Sequence, residues 1–364
     1  MAAQSEASTS TGWVPQPHDP NDKIYAPPTN LVIGPSIDLR KLPHLLSTDF
    51  SDPQNPRYTT IYDQGELDSC TANVIATALR YGRNAKLWTD RNTGGRNVPF
   101  DPSRLYIWYF ERIMMATKGE TFSIKNLQKF LGDKSEKALT TEAGTKVPRD
   151  VIETLIDTNS GAYIRIGIKC VQKYGACVES TWRYTMEEND KSWTTPPPPA
   201  LEEGPHYLGI NFQYYRIRDL AEPGNNLIAH MEAALSEGYP VIFGFWQSGD
   251  CQIDSILGHP PFAGNGYVFE GVLKAKQAGE GGHAVVAIGY DREKQLFLIQ
   301  NSMGNRFPPD ANGYFWMPYR WFQPGTGMAT DKDGNSIPAA DDFWVVKVDS
   351  AHPADAGKSA GKPT

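Results

Sequence analysis

The chain has 364 residues, 40% hydrophobic and 21% charged, an ordinary globular composition with ample material for one large core or two smaller ones. A net charge of −7 argues against nucleic acid or an anionic membrane surface as the main partner. No apolar run approaches the roughly 20 residues that span a bilayer, and the start Met1-Ala2-Ala3-Gln4-Ser5-Glu6 lacks the basic and apolar segments of a secretory signal. Four cysteines in a chain this long make no disulfide framework, so the sequence reads as a cytoplasmic protein with free thiols. Cys170 and Cys177 read as core thiols, with a bonded pair as the lesser alternative, and no His or Cys cluster completes a zinc site around them. Neither a metal nor a cofactor is expected.

In chain order, residues 1–35 are rich in Pro, Ser and Asn and predict an extended arm, pinned by the isolated aromatics Trp13 and Tyr25. The stretch from Tyr62 to Asn73 ends a loop and opens a helix. Ala72, Ile75, Ala76 and Leu79 form a small apolar face at helical spacing, closed by Gly82. Cys70 falls at that helix's N-terminus with Ser69 as a cap, where backbone N–H groups and the peptide dipoles favour a thiolate. A buried structural thiol is the bland alternative.

Asp101 and Pro102 read as the cap and first residue of the next helix, which runs on to Gly119. Ser123 to Leu131 reads as a short helix, and residues 86–99 and 133–147 as polar loops. Gly161 to Tyr174 reads as a helix stopped by Gly175, with Ile164, Ile168 and Val171 inward. The proline run at 196–199 reads as an exposed polyproline connector between a helical half and a strand-rich half. A helix over 226–238 leads into a strand over 240–246, then a Gly/Pro-rich loop over 247–282. Strands are expected at 283–290, 295–300, 313–318 and 342–348, and a disordered tail at 351–364.

Three motifs stand in order: Asp63-Gln64-Gly65 with Ser69-Cys70; Gly282-His283-Ala284-Val285 with Gly289-Tyr290; and Asn301-Ser302-x-Gly304 with Gly313-Tyr314-Phe315. Together they resemble the papain-like cysteine peptidases, most closely divergent, compact members. The likeness extends through Phe100 to Tyr106, Ser160 to Ala162 and Lys173 to Gly175. It implies an α+β fold with a helical half (about 60–195), a strand-rich, barrel-like half (about 205–349) and the active site in the cleft between. The arm (1–35) and tail (351–364) flank that catalytic unit (36–350).

The resemblance implies that Cys70 is the nucleophile of a peptide-bond hydrolase working through an acyl-enzyme. His283 would be its general base and acid, and Asn301 the group that orients the imidazole. Gln64, six residues before Cys70, matches the glutamine that completes the oxyanion hole. Gly161 and Ala162 match the backbone that pairs with an extended peptide or protein substrate, and Tyr163 would line the adjoining pocket. Acyl transfer through the same thioester, or a catalytically weak peptide-binding relative, are the alternatives. Asp68 stands where relatives commonly have Gly, Leu67 where many have Cys, and Met303 where the family has the indole that shields the His–Asn pair. A long helical propeptide is not expected before residue 36. Control of activity is therefore expected to come from elsewhere, and trimming residues 1–30 to leave activity and folding unchanged.

Overall fold

The computed structural model describes residues 12–16, 19–41, 61–84, 101–207, 211–217, 226–246, 267–268, 282–304, 313–323, 329–330 and 336–349. The expected loop over 86–99, most of that over 247–282 with Cys251, and the tail over 351–364 lie outside them. A short strand, β1 (Ser36–Asp38), leads the described elements. Then come α1 (Cys70–Leu79), α2 (Arg104–Ala116) and α3 (Ile124–Gly132), the hairpin of β2 (Ala138–Thr140) and β3 (Lys146–Pro148), α4 (Arg149–Asp157), α5 (Ile164–Tyr174) and α6 (Pro198–Glu203). After residue 210 the chain is mainly strand: β4 (Asn211–Arg216), α7 (Leu227–Ser236), β5 (Val241–Trp246), β6 (Tyr267–Val268), β7 (Gly282–Asp291), β8 (Leu296–Gln300), β9 (Tyr314–Pro318), the small pair β10 (Ala329–Thr330) and β11 (Ser336–Ile337), and β12 (Ala340–Asp349).

The helix ends follow side-chain chemistry. Ser123 accepts from the Asn126 N–H at 3.1 Å and Asn226 from the Ala229 N–H at 3.1 Å, each covering an amide that the helix leaves without an internal acceptor. Gly175 ends α5 at φ +69°, a conformation that costs glycine least. Three expectations change. α2 starts at Arg104 rather than after Asp101, because Ser103 accepts from the Tyr106 N–H at 3.2 Å while Pro102 bridges to Val178 and Asp101 accepts from the Tyr62 hydroxyl. The proline run is not a bare polyproline connector: Pro198 opens α6, since a first-turn residue needs no N–H, and Pro196 and Ala200 are buried. The expected polar loop over 133–147 contains a hairpin that buries Leu139 and Val147, and α4 behind it buries Ile152 and Ile156.

Among the described residues the large sheet has eight strands, in the order β4-β12-β5-β7-β8-β9-β6 with β1 also paired to β7. All pairings in that path are antiparallel except β6 with β9. Helix α1 packs on β7 and β5 on one side and on α2 and α5 on the other, and all ten of its residues are buried. Its small residues, Ala72, Ala76 and Ala78, permit that double contact. The helix opened by Cys70 is therefore the seam between the helices and the sheet.

Buried charge on α2 ties the helical layer together. The Arg112 guanidinium lies over Trp108 (3.9 Å to the ring centroid) and Trp193 (4.7 Å) and donates to the carbonyls of Trp193 (3.0 Å) and Ile156. Burial holds it down to about 9. Arg112→Met strips donors from two buried carbonyls, each loss costing about 1–3 kcal/mol. The variant should melt well below wild type, and Arg112→Lys should recover only part of the loss because it lacks the planar fork. Thermal melts that coincide for all three proteins would contradict this reading.

Candidate active site

Two loops meet ahead of α1. The Gln64 N–H donates to the Ser302 carbonyl at 2.8 Å and the Gly304 N–H to the Tyr62 carbonyl at 2.9 Å, so the segments 62–64 and 302–304 lie edge to edge. The Gln64 side chain is held at both ends. Its Oε1 accepts from the Ser302 hydroxyl at 2.7 Å, and its Nε2 donates to the Leu67 carbonyl at 3.1 Å, which leaves one amide hydrogen uncommitted. Asn159 clamps the turn, accepting from the Asp68 N–H at 2.7 Å and donating to the Glu66 carbonyl at 2.9 Å. Arg104 lies between the rings of Tyr62 (4.2 Å) and Tyr184 (4.0 Å), pairs with Glu179 at 2.8 Å, and reaches Asn73 Oδ1 at 3.2 Å. Ser69 stands at the cap position of α1 but covers no backbone amide of the helix: its hydroxyl pairs with that of Tyr184 and accepts from the Asn73 side-chain amide at 3.0 Å. The predicted cap is overturned by this stronger local partner.

Strand β7 supplies the other wall. Paired to β5 and β8, it fixes His283 opposite Phe245, whose ring stands edge-on to the imidazole at 5.8 Å between centroids. His283 Nε2 and Asn301 Oδ1 are 2.8 Å apart, so Nδ1 is the ring nitrogen left for another partner. Asn301 is placed by its own N–H, which donates to the Gly313 carbonyl at 2.9 Å, and its Oδ1 also accepts from the Ser302 N–H at 2.8 Å. Cys70 Sγ takes the Ala284 N–H at 3.4 Å, which sets the sulfur against β7 one residue beyond His283. Cys170 and Cys177 are free thiols buried in the core. Met303 is half-buried, its backbone bridged to Asp63.

The ionisation state differs from the sequence expectation. Cys70 is 0% and His283 3% exposed. Burial pushes the thiol well up, outweighing the Ala284 N–H that favours the thiolate, and the charge of Asp68 adds to the rise. Burial likewise holds His283 down to about 4, against the Asn301 bond that favours its cation. The helix N-terminus does not win here: in this closed arrangement both groups are neutral.

What closes the site is the N-terminal arm. Ala162 N–H donates to the Gly12 carbonyl (3.2 Å) and Val14 N–H to the Ala162 carbonyl (3.1 Å) on one edge. On the other edge, Trp13 N–H donates to the Gly282 carbonyl (3.1 Å) and Gly282 N–H to the Trp13 carbonyl (3.0 Å). Residues 12–14 thus lie as an extended peptide between Ala162 and β7. Gly12 is pressed on the sulfur so closely that a Cβ there would be 2.7 Å from Cys70 Sγ. A second pin lies further along, where the Tyr25 N–H donates to the Arg216 carbonyl at 2.8 Å and the tyrosine hydroxyl meets Glu237. An arm placed here runs against the expectation that control of activity comes from elsewhere and that trimming residues 1–30 leaves activity unchanged. The pinning aromatics were legible; the composition carried no sign of where Trp13 inserts. Of the expected substrate-binding residues, Ala162 meets the arm directly. Gly161 precedes it, and Tyr163 is the half-buried residue before α5, its carbonyl accepting from the Gly167 N–H at 3.1 Å. Asn159, Ser302 and Tyr184, which hold the Gln64 loop, carried no sequence signal beyond the Asn-Ser-x-Gly motif.

No protein-family model matches the sequence. An uncharacterized peptidase C1-like protein of Acanthamoeba polyphaga mimivirus is 30% identical over 322 residues, covering 87% of this chain and 75% of that one. Among solved structures, xylellain, a cysteine protease from Xylella fastidiosa, is similar with a TM-score of 0.56 and 25% identity over 95% of this chain and 99% of its own. The cysteine protease and lectin-like domains of Cwp84, a surface layer associated protein of Clostridium difficile, share the fold at a TM-score of 0.51 and 12% identity, covering 96% of this chain and 57% of that one.

Displacing the arm should expose the thiol. Full-length Trp13→Ala should be alkylated at Cys70 by a small haloacetamide at least tenfold faster than wild type, with Cys170 and Cys177 unchanged. Peptide mapping of the modified residue checks it, and equal rates for the two proteins would contradict it.

Proposed function

The chain belongs to the papain-like cysteine-type peptidases, and on that premise we propose that it hydrolyses peptide bonds through Cys70, His283 and Asn301, with Gln64 in the oxyanion hole. The observation that carries this reading is the 2.8 Å His283 Nε2 to Asn301 Oδ1 contact, beside a sulfur that sits against the next residue of the same strand. Once the arm leaves, water reaches the cleft and the desolvation that holds Cys70 and His283 neutral is relieved. The proton then passes from Sγ to Nδ1, and Asn301 keeps the ring turned so that this nitrogen faces the sulfur.

The thiolate attacks the scissile carbonyl carbon. The oxygen's developing charge is met by the Cys70 N–H and the uncommitted Gln64 amide hydrogen, which Ser302 and Leu67 hold in orientation. As the C–N bond breaks, His283 returns its proton to the departing amine, leaving a thioester on Cys70. Water, deprotonated by His283, hydrolyses that thioester and frees the thiol. Peptide or protein substrate would pair through its backbone with Ala162, a role supported by the arm's use of the same N–H and carbonyl.

Cys70→Ala should abolish cleavage of an unfolded protein substrate, and Gln64→Ala should lower kcat about 10²–10³-fold. Retained cleavage in Cys70→Ala would sink the assignment. A second check uses pH. Burial, with Glu188 nearby, raises Asp68 to about 7, and its charge opposes a thiolate at Cys70. Below pH 7 the wild-type carboxyl is itself largely neutral; above it the charge appears. Asp68→Asn should therefore label at Cys70 like wild type in mild acid and several-fold faster in mild base. A ratio that is flat across the profile would remove Asp68 from the account.

A further inference from the structure

The two donors proposed for the oxyanion hole belong to separate stretches of chain. The Gln64 amide hangs from a loop, the Cys70 N–H opens α1, and residues 65–69 turn between them. That turn is tight: the Leu67 N–H donates to the Gln64 carbonyl at 3.1 Å and the Ser69 N–H to the Leu67 carbonyl at 2.7 Å. Gly65 takes φ +56° there and lies so near the segment after Tyr184 that a Cβ on it would run into the Met186 carbonyl. The Glu66 N–H donates to that same carbonyl at 2.8 Å, so residues 184–186 brace the turn from outside.

Tyr184 reaches both ends of the turn with one oxygen. Its hydroxyl donates to the Gln64 carbonyl at 3.0 Å and pairs with the hydroxyl of Ser69, the residue before the nucleophile. The surrounding groups set the proton order. Asn73 Nδ2, which can only donate, gives a hydrogen to Ser69 Oγ at 3.0 Å; Ser69 gives its proton to Tyr184, and Tyr184 its own to Gln64. The Leu67 carbonyl, at 3.5 Å, is the more distant acceptor for the Ser69 proton. Asn73 is itself held, its Oδ1 accepting from Arg104 Nη1 at 3.2 Å, and the Arg104 guanidinium also lies over the Tyr184 ring at 4.0 Å. Burial pushes the Tyr184 hydroxyl up to about 12, so it keeps the proton that this order needs.

We infer that Tyr184 is a positioning residue for the oxyanion hole: seated between Ser69 and the Gln64 carbonyl, its hydroxyl fixes the spacing of the Cys70 N–H and the Gln64 amide. The inference rests on the peptidase reading above. The Cys70 N–H belongs to the peptide that Ser69 begins, and the Gln64 carbonyl is on the residue whose side chain supplies the other donor. A link between them therefore acts on the separation of the donors and needs no contact with substrate. An oxygen that moves out of plane as the thiolate adds is stabilised only where both donors already converge. That charge exists in the transition state and not in the bound substrate, so its loss falls on kcat and leaves KM. The Tyr184 ring packs on Arg104; the hydroxyl is the part that serves the hole.

Carbonyl addition and simple alkylation separate this role from a structural one. Displacing halide from a haloacetamide builds no charge on a carbonyl oxygen. Adding Sγ to the carbonyl carbon of a peptide aldehyde passes the C–O π pair to oxygen, with the thiol proton taken by His283. The test uses full-length Trp13→Ala with and without Tyr184→Phe, which keeps the ring. The aldehyde's inhibition constant is read from its protection of Cys70 against the haloacetamide. Tyr184→Phe should raise that constant about tenfold or more, while haloacetamide labelling stays within about twofold and the matching peptide alcohol binds both proteins alike. Equal aldehyde constants overturn the assignment. So does a parallel loss of alkylation or alcohol binding, which would mark Tyr184 as a structural residue only. If Tyr184→Phe does not fold, Ser69→Ala cuts the same bridge at its other end and is read against the same outcomes. Should Trp13→Ala itself resist the haloacetamide, the nucleophile reading has failed and this assignment falls with it.

Discussion

The structure turns on one strand end. Gly282, the first residue of β7, pairs with Trp246 of β5 and exchanges two hydrogen bonds with Trp13. The next residue is His283, and the one after it donates its amide to Cys70. Three consecutive residues thus carry the arm, the imidazole and the contact with the sulfur. β5 pairs with β7 over Gly282–Ala287, β8 pairs with it from Val286 on, and α1 packs against it, so His283 and the Ala284 amide are held by the sheet and the helix. The same rigidity that positions the candidate triad also seats the peptide that covers it.

Covering the site has an electrostatic consequence. A thiol at a helix N-terminus beside a histidine is the arrangement expected to ionise, yet burial under Gly12 and Trp13 drives both partners toward neutrality. Desolvation acts on the charged forms of both groups, whereas the Ala284 amide and Asn301 each favour only one of them. In the closed arrangement the thiol and the imidazole are each held toward the neutral form beneath the arm. On the proposed function, reactivity follows removal of the arm and not a rearrangement of α1 or β7.

Much of this was legible in the sequence because local chemistry and tertiary position agreed. Ser123, Asn226 and Gly175 mark real helix ends, and the order of Cys70, His283 and Asn301 placed a helix opposite two neighbouring strands. What was not legible depended on partners far along the chain. Ser69 looked like a cap until Tyr184 offered a better hydroxyl partner, and Asp101 until Tyr62 claimed its carboxylate. The proline run concealed a helix because proline is costly in a helix interior but not in its first turn. Trp13 read as an aromatic that pins the arm, with no sign of where. Its destination is set by the absence of side chains at Gly244 and Gly282, two positions over 200 residues away that no local pattern connects to it.

Amide hydrogen exchange on the full-length wild-type protein tests the central claim, that residues 12–14 are bound in the cleft as an added strand. The amides of Trp13 and Val14 donate to Gly282 and Ala162. They should be protected far beyond free-peptide rates and should gain exchange together with the Ala162 and Gly282 amides when Trp13 is replaced by alanine. Exchange of Trp13 and Val14 at free-peptide rates in the wild-type protein, with β7 itself protected, would show that the arm does not hold the cleft.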